Sequence, residues 1–211
     1  MKRVHVLELE PGPSDAGGRW LPLRAALGLR AFGLSAYLGE PGETVVPRHD
    51  ETGGGAGGHE EVYIVLSGRA TFTVDGESFD APAGTLVLVD HGERREARAE
   101  EPGTVVLAAG APVDEQYRVA PWEYGARAAY ERARRNVDEL ERVADEGVAA
   151  YGEHVTMLIA RACVAAQRGQ RDEALELLQR AAADPDFGDW ARGEAAAEPL
   201  LDPVRDDPRF P

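Results

Sequence analysis

Short runs of alternating apolar and polar residues, broken by glycine and proline, occupy the first 120 positions of the chain. Beyond Pro121, glycine thins out and Ala, Arg, Glu and Leu dominate. The change from period-two to helical patterning predicts an α+β chain with two domains, 1–120 and 121–211. In the first half, residues 4–9 alternate and read as a strand. Residues 20–27 read as a short helix with Pro22 in its first turn. Residues 29–38 put Phe32, Leu34, Ala36 and Leu38 on one face of a strand. Further strands are expected at 44–48, 61–66, 70–74, 85–89, 94–99 and 104–108, separated by turn pairs such as Ser67-Gly68, Asp75-Gly76 and His91-Gly92. Asp75-Gly76 is a hairpin signal, since both residue types tolerate positive φ. Many short strands at near-regular spacing imply an antiparallel sandwich or a small barrel.

The second half predicts helices at 122–134, 137–151, 154–167, 171–182 and 188–197. Their short connections make neighbours antiparallel. Ala174, Leu175, Leu178 and Ala181 form one apolar stripe. The tail carries Pro199, Pro203, Pro208 and Pro211 and is not expected to be helical throughout.

Composition narrows the function classes. The 211 residues include 38 acidic and 23 basic ones, for a net charge of -15. Such a surface repels phosphate backbones and anionic lipid, which argues against nucleic-acid and membrane partners. The single cysteine, Cys163, excludes an internal disulfide. No apolar run approaches the roughly 20 residues that span a bilayer. The first ten residues lack the apolar core of a signal peptide, so the expected location is cytoplasmic.

The segment from Glu61 to Gly68 holds an E-x6-G spacing. Gly42 precedes it, His49 falls one residue late for the first histidine of a G-x5-H-x-H pattern, and Glu51 stands in the place of the second. Downstream, Gly84 and Gly92 keep the spacing of G-x5-P-x-G-x2-H-x3-N, but Asp90 replaces the proline, Arg95 the histidine and Ala99 the asparagine. In these two motifs residues 29–110 resemble the cupin superfamily. The resemblance implies an antiparallel β-barrel of the jelly-roll type and a small-molecule ligand. Cupins commonly form homodimers, which the resemblance also implies here. The helical half resembles tetratricopeptide-type helix pairs, with Gly169, Ala174, Leu178 and Ala181 at the small and apolar positions. That points to a module for association or for a protein partner.

A typical cupin holds Fe, Mn, Ni or Zn on three histidines and one glutamate. Carried over by position, this chain offers His49, Glu51, Glu61 and Arg95, and a guanidinium has no lone pair to give. A full four-ligand site is therefore absent, and the resemblance leaves open a reduced site for one divalent transition metal (Fe, Mn, Ni or Zn), drawn from His49, Glu51, His59 and Glu61. His59 and Glu61 share a strand face, and Tyr63 follows on the same face beside Arg95, which makes Tyr63 and Arg95 ligand-pocket candidates. Two readings stay open. In one, the protein binds a small molecule in a pocket where Arg95 pairs with Glu61 and replaces the metal's charge. In the other, it is a metal-dependent oxygenase, isomerase or lyase in which Glu61 works as acid or base. His5, His91 and His154 have no metal-site partners in the pattern, and the glycine-rich run 53–58 lacks the Lys-Ser/Thr of a phosphate loop.

Overall fold

In the computed structural model, which describes residues 1–12, 19–53 and 55–211, the chain forms two compact units, 1–122 and 123–211. Gly54 of the glycine-rich run lies outside the described residues.

Among the described residues the first unit contains nine strands: β1 (Arg19–Leu21), β2 (Gly33–Gly39), β3 (Thr44–His49), β4 (His59–Ser67), β5 (Arg69–Val74), β6 (Glu77–Pro82), β7 (Leu86–Val89), β8 (Arg95–Ala99) and β9 (Thr104–Pro112). They make two antiparallel sheets, ordered β1-β2-β9-β4-β7 and β3-β8-β5-β6. Val45, Val46, Ala70, Phe72, Ala97 and Ala99 of the second sheet pack against Tyr63, Val65, Val87, Val89, Val106 and Ala108 of the first. The result is a jelly-roll-like sandwich, one of the two architectures the strand count allows, and not the closed barrel that the cupin resemblance implies. Among the described residues no ladder joins an edge of one sheet to an edge of the other.

Three segments depart from the pattern reading. Residues 4–9 form no strand: Val6–Glu8 is a 3-10 turn, and Val4, Val6 and Leu9 pack on the Leu21, Leu23, Ala36 and Val105 cluster. Val6 and Leu9 share a face because three residues make one turn of that helix. Helix 20–27 divides at Pro22 into β1 and the five-residue α1 (Leu23–Leu27). Strand β6 is polar and exposed except at Ala81, so it carries no apolar run to betray it. It forms because Asp75 (φ 48°) and Gly76 (φ 90°) turn the chain back and pair Val74 with Glu77.

The second unit comprises α2 (Pro121–Ala133), whose first two residues belong to the first unit, α3 (Val137–Tyr151), α4 (Val155–Gln167), α5 (Arg171–Ala182), α6 (Gly188–Ala197) and a 3-10 segment, Pro199–Val204. Asn136 caps α3 by accepting from the Glu139 amide, and the His154 ring accepts from the Thr156 amide at the start of α4. Helix α4 is the hub of this unit, with Met157, Ile159, Ala160, Cys163 and Val164 all buried against Leu140, Val143, Leu175, Leu178 and Leu201. Among the described residues no helix is long and apolar enough to cross a membrane.

Candidate metal and ligand site

The site lies at one end of the sandwich, where the end of β3, the start of β4 and the start of β8 meet. Strand β3 pairs with β8 through Thr44–Arg98, Val46–Ala97 and His49–Arg95, with a register shift between each pair. From Val46 to His49 the chain advances three residues while β8 advances two. One extra residue is absorbed as a bulge, so His49 turns back toward the core. Pro47 occupies the bulge, where its missing N–H costs no ladder bond. The one-residue offset of His49 in the motif is thereby cancelled by backbone geometry.

Pro47 also fixes the imidazole. Its carbonyl lies 2.6 Å from His49 Nδ1. A carbonyl only accepts, so Nδ1 carries the proton, and in the neutral ring Nε2 presents its lone pair. That nitrogen is 3.7 Å from Glu51 Oε1 and 3.8 Å from Glu61 Oε2. One ligand atom from each of His49, Glu51 and Glu61 lies within 4.8 Å of the others.

Glu51 is 5% exposed and accepts a 2.7 Å hydrogen bond from the Gly57 amide. His59, also 5% exposed, brings Nδ1 to 4.0 Å from Glu51 Oε2. It stands at the edge of the three-donor group. Its ring lies 5.4 Å from that of Tyr117 and directly over Gly57, where a Cβ would come within 2.2 Å of Nε2. His59 Nε2 has no hydrogen-bond partner among the described residues.

Glu61 is the crossing point of the site. Tyr63 donates its hydroxyl to Glu61 Oε2 at 2.5 Å, and Arg95 Nη2 lies 3.3 Å from the same oxygen. Burial pushes the Glu61 carboxyl up, but His49, the Tyr63 hydroxyl and the Arg95 charge outweigh it and hold it below the usual range. Burial and the Glu61 charge push the Tyr63 phenol well above its ordinary value, so Tyr63 acts as a donor. For His49 burial pulls the other way, yet the Glu61 carboxylate and the Pro47 carbonyl prevail and raise its pKa. Gly110, opposite Glu61 on β9, gives the carboxylate its room: a Cβ there would stand 2.7 Å from Glu61 Cγ.

Arg95 is fully buried. Its Nη1 donates to the Glu93 carbonyl at 2.9 Å, while Nε and Nη2 have no hydrogen-bond acceptor among the described residues. A cleft of about 630 Å³ is lined by Arg95 itself together with Arg48, Asp50, Thr73, Arg94 and Glu96 among others. Within it Arg94 pairs with Asp50 at 3.1 Å and its amide donates to Asp75. Arg95 thus borders this cleft as well as the group formed by His49, Glu51 and Glu61.

The sequence family described as "Cupin domain" matches residues 40–109. That match lies wholly within the first unit and covers one-third of the chain. Comparison with curated proteins gives no match. Among solved structures, KdgF from Halomonas sp. is 16% identical, with 53% of this chain and 91% of that chain covered and a TM-score of 0.42. A predicted oxalate decarboxylase from Thermotoga maritima is 23% identical over 52% of this chain and 97% of that chain, with a TM-score of 0.42. An RmlC-like cupin protein from Desulfovibrio desulfuricans is 21% identical over 53% and 97%, with a TM-score of 0.43. His49, Glu51, His59, Glu61, Tyr63 and Arg95 all fall inside the matched residues 40–109.

Position by position, the structure gathers His49, Glu51 and Glu61 into one group and sets His59 just outside it. Tyr63 and Arg95 both contact Glu61. Sequence reasoning missed Pro47, Gly57, Gly110 and Tyr117. Gly57 was visible only as one glycine in a run of several. Nothing in the pattern distinguished Gly110 or Tyr117 from ordinary strand and loop residues.

The residues present fit a divalent cation. Two carboxylates and one imidazole with its lone pair turned inward are donors for Fe, Mn, Ni or Zn. The Pro47 carbonyl orients the imidazole as second-layer acceptors do in metal sites.

Proposed function

We propose that the cupin domain binds a small molecule at a site completed by one divalent transition metal on His49, Glu51 and Glu61. The observation that carries this reading is the charge of the cluster. Arg95 lies against Glu61, but Glu51 is more deeply buried than Glu61, and the polar partners it shows among the described residues are the Gly57 amide and two imidazoles. A buried carboxylate without a matching cation is costly, and a metal between the three donors supplies that cation. When bound, such an ion polarises an oxygen ligand at its open positions. The chain's own part is to hold the donors: Pro47 orients His49, Gly57 orients Glu51, and Tyr63 with Arg95 orients Glu61.

Three protein donors leave coordination positions free, which favours a second reading as a metal-dependent enzyme. In it, Glu61 accepts or returns a proton while Tyr63 and Arg95 hold it ionised between turnovers. The helical unit serves in association under either reading, and the outer face of β7, where Leu86 is 64% and Leu88 66% exposed, supports pairing with a second copy. Equilibrium dialysis of EDTA-treated protein against Mn²⁺, Ni²⁺ or Zn²⁺ tests the central reading. It should give one ion per chain in the wild type and a loss of at least tenfold in affinity in His49→Ala and Glu51→Gln. No retained ion in the wild type, or variants that retain the ion as well as the wild type does, would overturn it.

A further inference from the structure

Arg95 is a larger puzzle than an ion pair explains. A guanidinium offers two N–H edges, and the side edge, formed by Nε and Nη2, matches the two oxygens of a carboxylate. In this site those two nitrogens are the ones without an acceptor, while Nη1 is taken by the Glu93 carbonyl. Glu61 reaches one end of the edge, at 3.3 Å from Nη2, and places no oxygen on Nε. The edge is buried and lies next to the three-donor group. Leaving two guanidinium N–H groups unsatisfied in the interior is costly, so the site is built for something that brings oxygens.

Charge selects what that is. Glu51 and Glu61 contribute two negative charges and Arg95 one positive, so with neutral imidazoles the cluster carries one net negative charge and repels anions. A divalent ion reverses the sign to one net positive charge. The complement of that site is a monoanion with two coplanar oxygens, small enough to reach a fully buried arginine from the cleft that Arg95 lines.

We infer that the ligand is a small carboxylic acid whose carboxylate docks bidentately on Arg95 Nε and Nη2, and that it binds only after the metal. This rests on the proposed metal site and extends it to a ligand class and an order of binding. Arg95, which removes a histidine from the metal's ligand set, becomes the group that selects the ligand.

Acetate and its neutral isostere acetamide are the probes, and the test is run on the full chain. Co²⁺-loaded protein is titrated with each while the visible absorption of the ion is followed. The same titrations are repeated on the Zn²⁺-loaded wild type while the Arg95 Nε–H resonance is followed by NMR. Acetate should shift both signals. Acetamide should shift neither at tenfold higher concentration. Metal-free protein should bind acetate at least tenfold more weakly, and Arg95→Lys should keep Co²⁺ while losing at least tenfold in acetate affinity. An Arg95 resonance that does not respond to acetate overturns the inference, even if Arg95→Lys does not fold. So does equal binding of acetamide, or acetate binding unchanged by Arg95→Lys. Failure of the wild type to take up Co²⁺ would instead strike the metal site itself.

Discussion

His49 and Arg95 face each other across the β3–β8 ladder, and both turn inward to the same oxygen, Oε2 of Glu61 on the opposite sheet. One can give a lone pair to a metal; the other only donates hydrogen bonds. Under the proposed reading, their pairing divides the end of the sandwich into a metal-binding half, with Glu51, and an anion-facing half.

The first prediction concerns His49 in metal-free protein. Its pKa is raised above the ordinary 6.5 despite burial, because the Glu61 carboxylate and the Pro47 carbonyl favour the imidazolium. A group whose folded pKa is raised stabilises the fold fully below its unfolded value, and that contribution disappears as pH climbs through the folded pKa. NMR titration of EDTA-treated protein should show one histidine titrating above pH 6.5. Melting temperature should fall as pH passes through that same midpoint. A His49 midpoint at or below 6.5 would contradict this.

Gly57 should behave as part of the site and not as a neutral loop residue. A methyl group there meets the His59 ring at 2.2–2.7 Å, and the Gly57 amide holds Glu51. Gly57→Ala is expected to weaken metal binding at least tenfold while leaving the far-UV spectrum unchanged. Gly53→Ala, four residues earlier and with open space around it, should leave binding as it was. Equal effects of the two substitutions would remove Gly57 from the site.

These glycines show where the chain was legible and where it was not. Helices α3, α5 and α6 lie where the sequence pattern put them, and α5 buries the stripe of Ala174, Leu175, Leu178 and Ala181 within a single local unit. Glu61, Tyr63 and His59 were readable as one inward face of β4, since a strand alternates. His49 was placed in the candidate set in spite of its offset, but the bulge at Pro47 that makes the position work has no local signature. Strand β6 escaped because it is an edge strand dictated by a turn, not by hydrophobicity. The contacts of Gly57 and Gly110 are long-range or loop-dependent and exist only once β4, β9 and the loop before β4 are assembled.

Cys163 should be inert in the native protein. It lies fully buried in α4, and burial pushes its thiol pKa up to about 12. Reaction with a thiol reagent at pH 8 should be undetectable until denaturant is added. The sign of the linkage is opposite to that of a buried carboxylate partnered by a cation. Between the unfolded thiol value and about 12 the folded state holds a proton that the unfolded state has lost, so stability falls as pH rises there. Rapid labelling of native protein would show that α4 opens locally.

The bare outer face of β7 predicts association. Leu86 and Leu88 project from an edge strand, opposite Ile64 and Val62 of β4. Light scattering at tens of micromolar should give twice the chain mass of 22.7 kDa, and Leu86→Lys with Leu88→Lys should return it to the single-chain value. A wild type of single-chain mass would contradict the pairing.

Anomalous X-ray diffraction from crystals grown with Mn²⁺ or Zn²⁺ tests the metal site most directly. The expected result is one strong peak within about 2.0–2.3 Å of His49 Nε2, one Glu51 oxygen and one Glu61 oxygen. A peak away from these three side chains, or His49 and Glu61 in direct contact with Arg95 and no ion between them under saturating metal, would contradict the account.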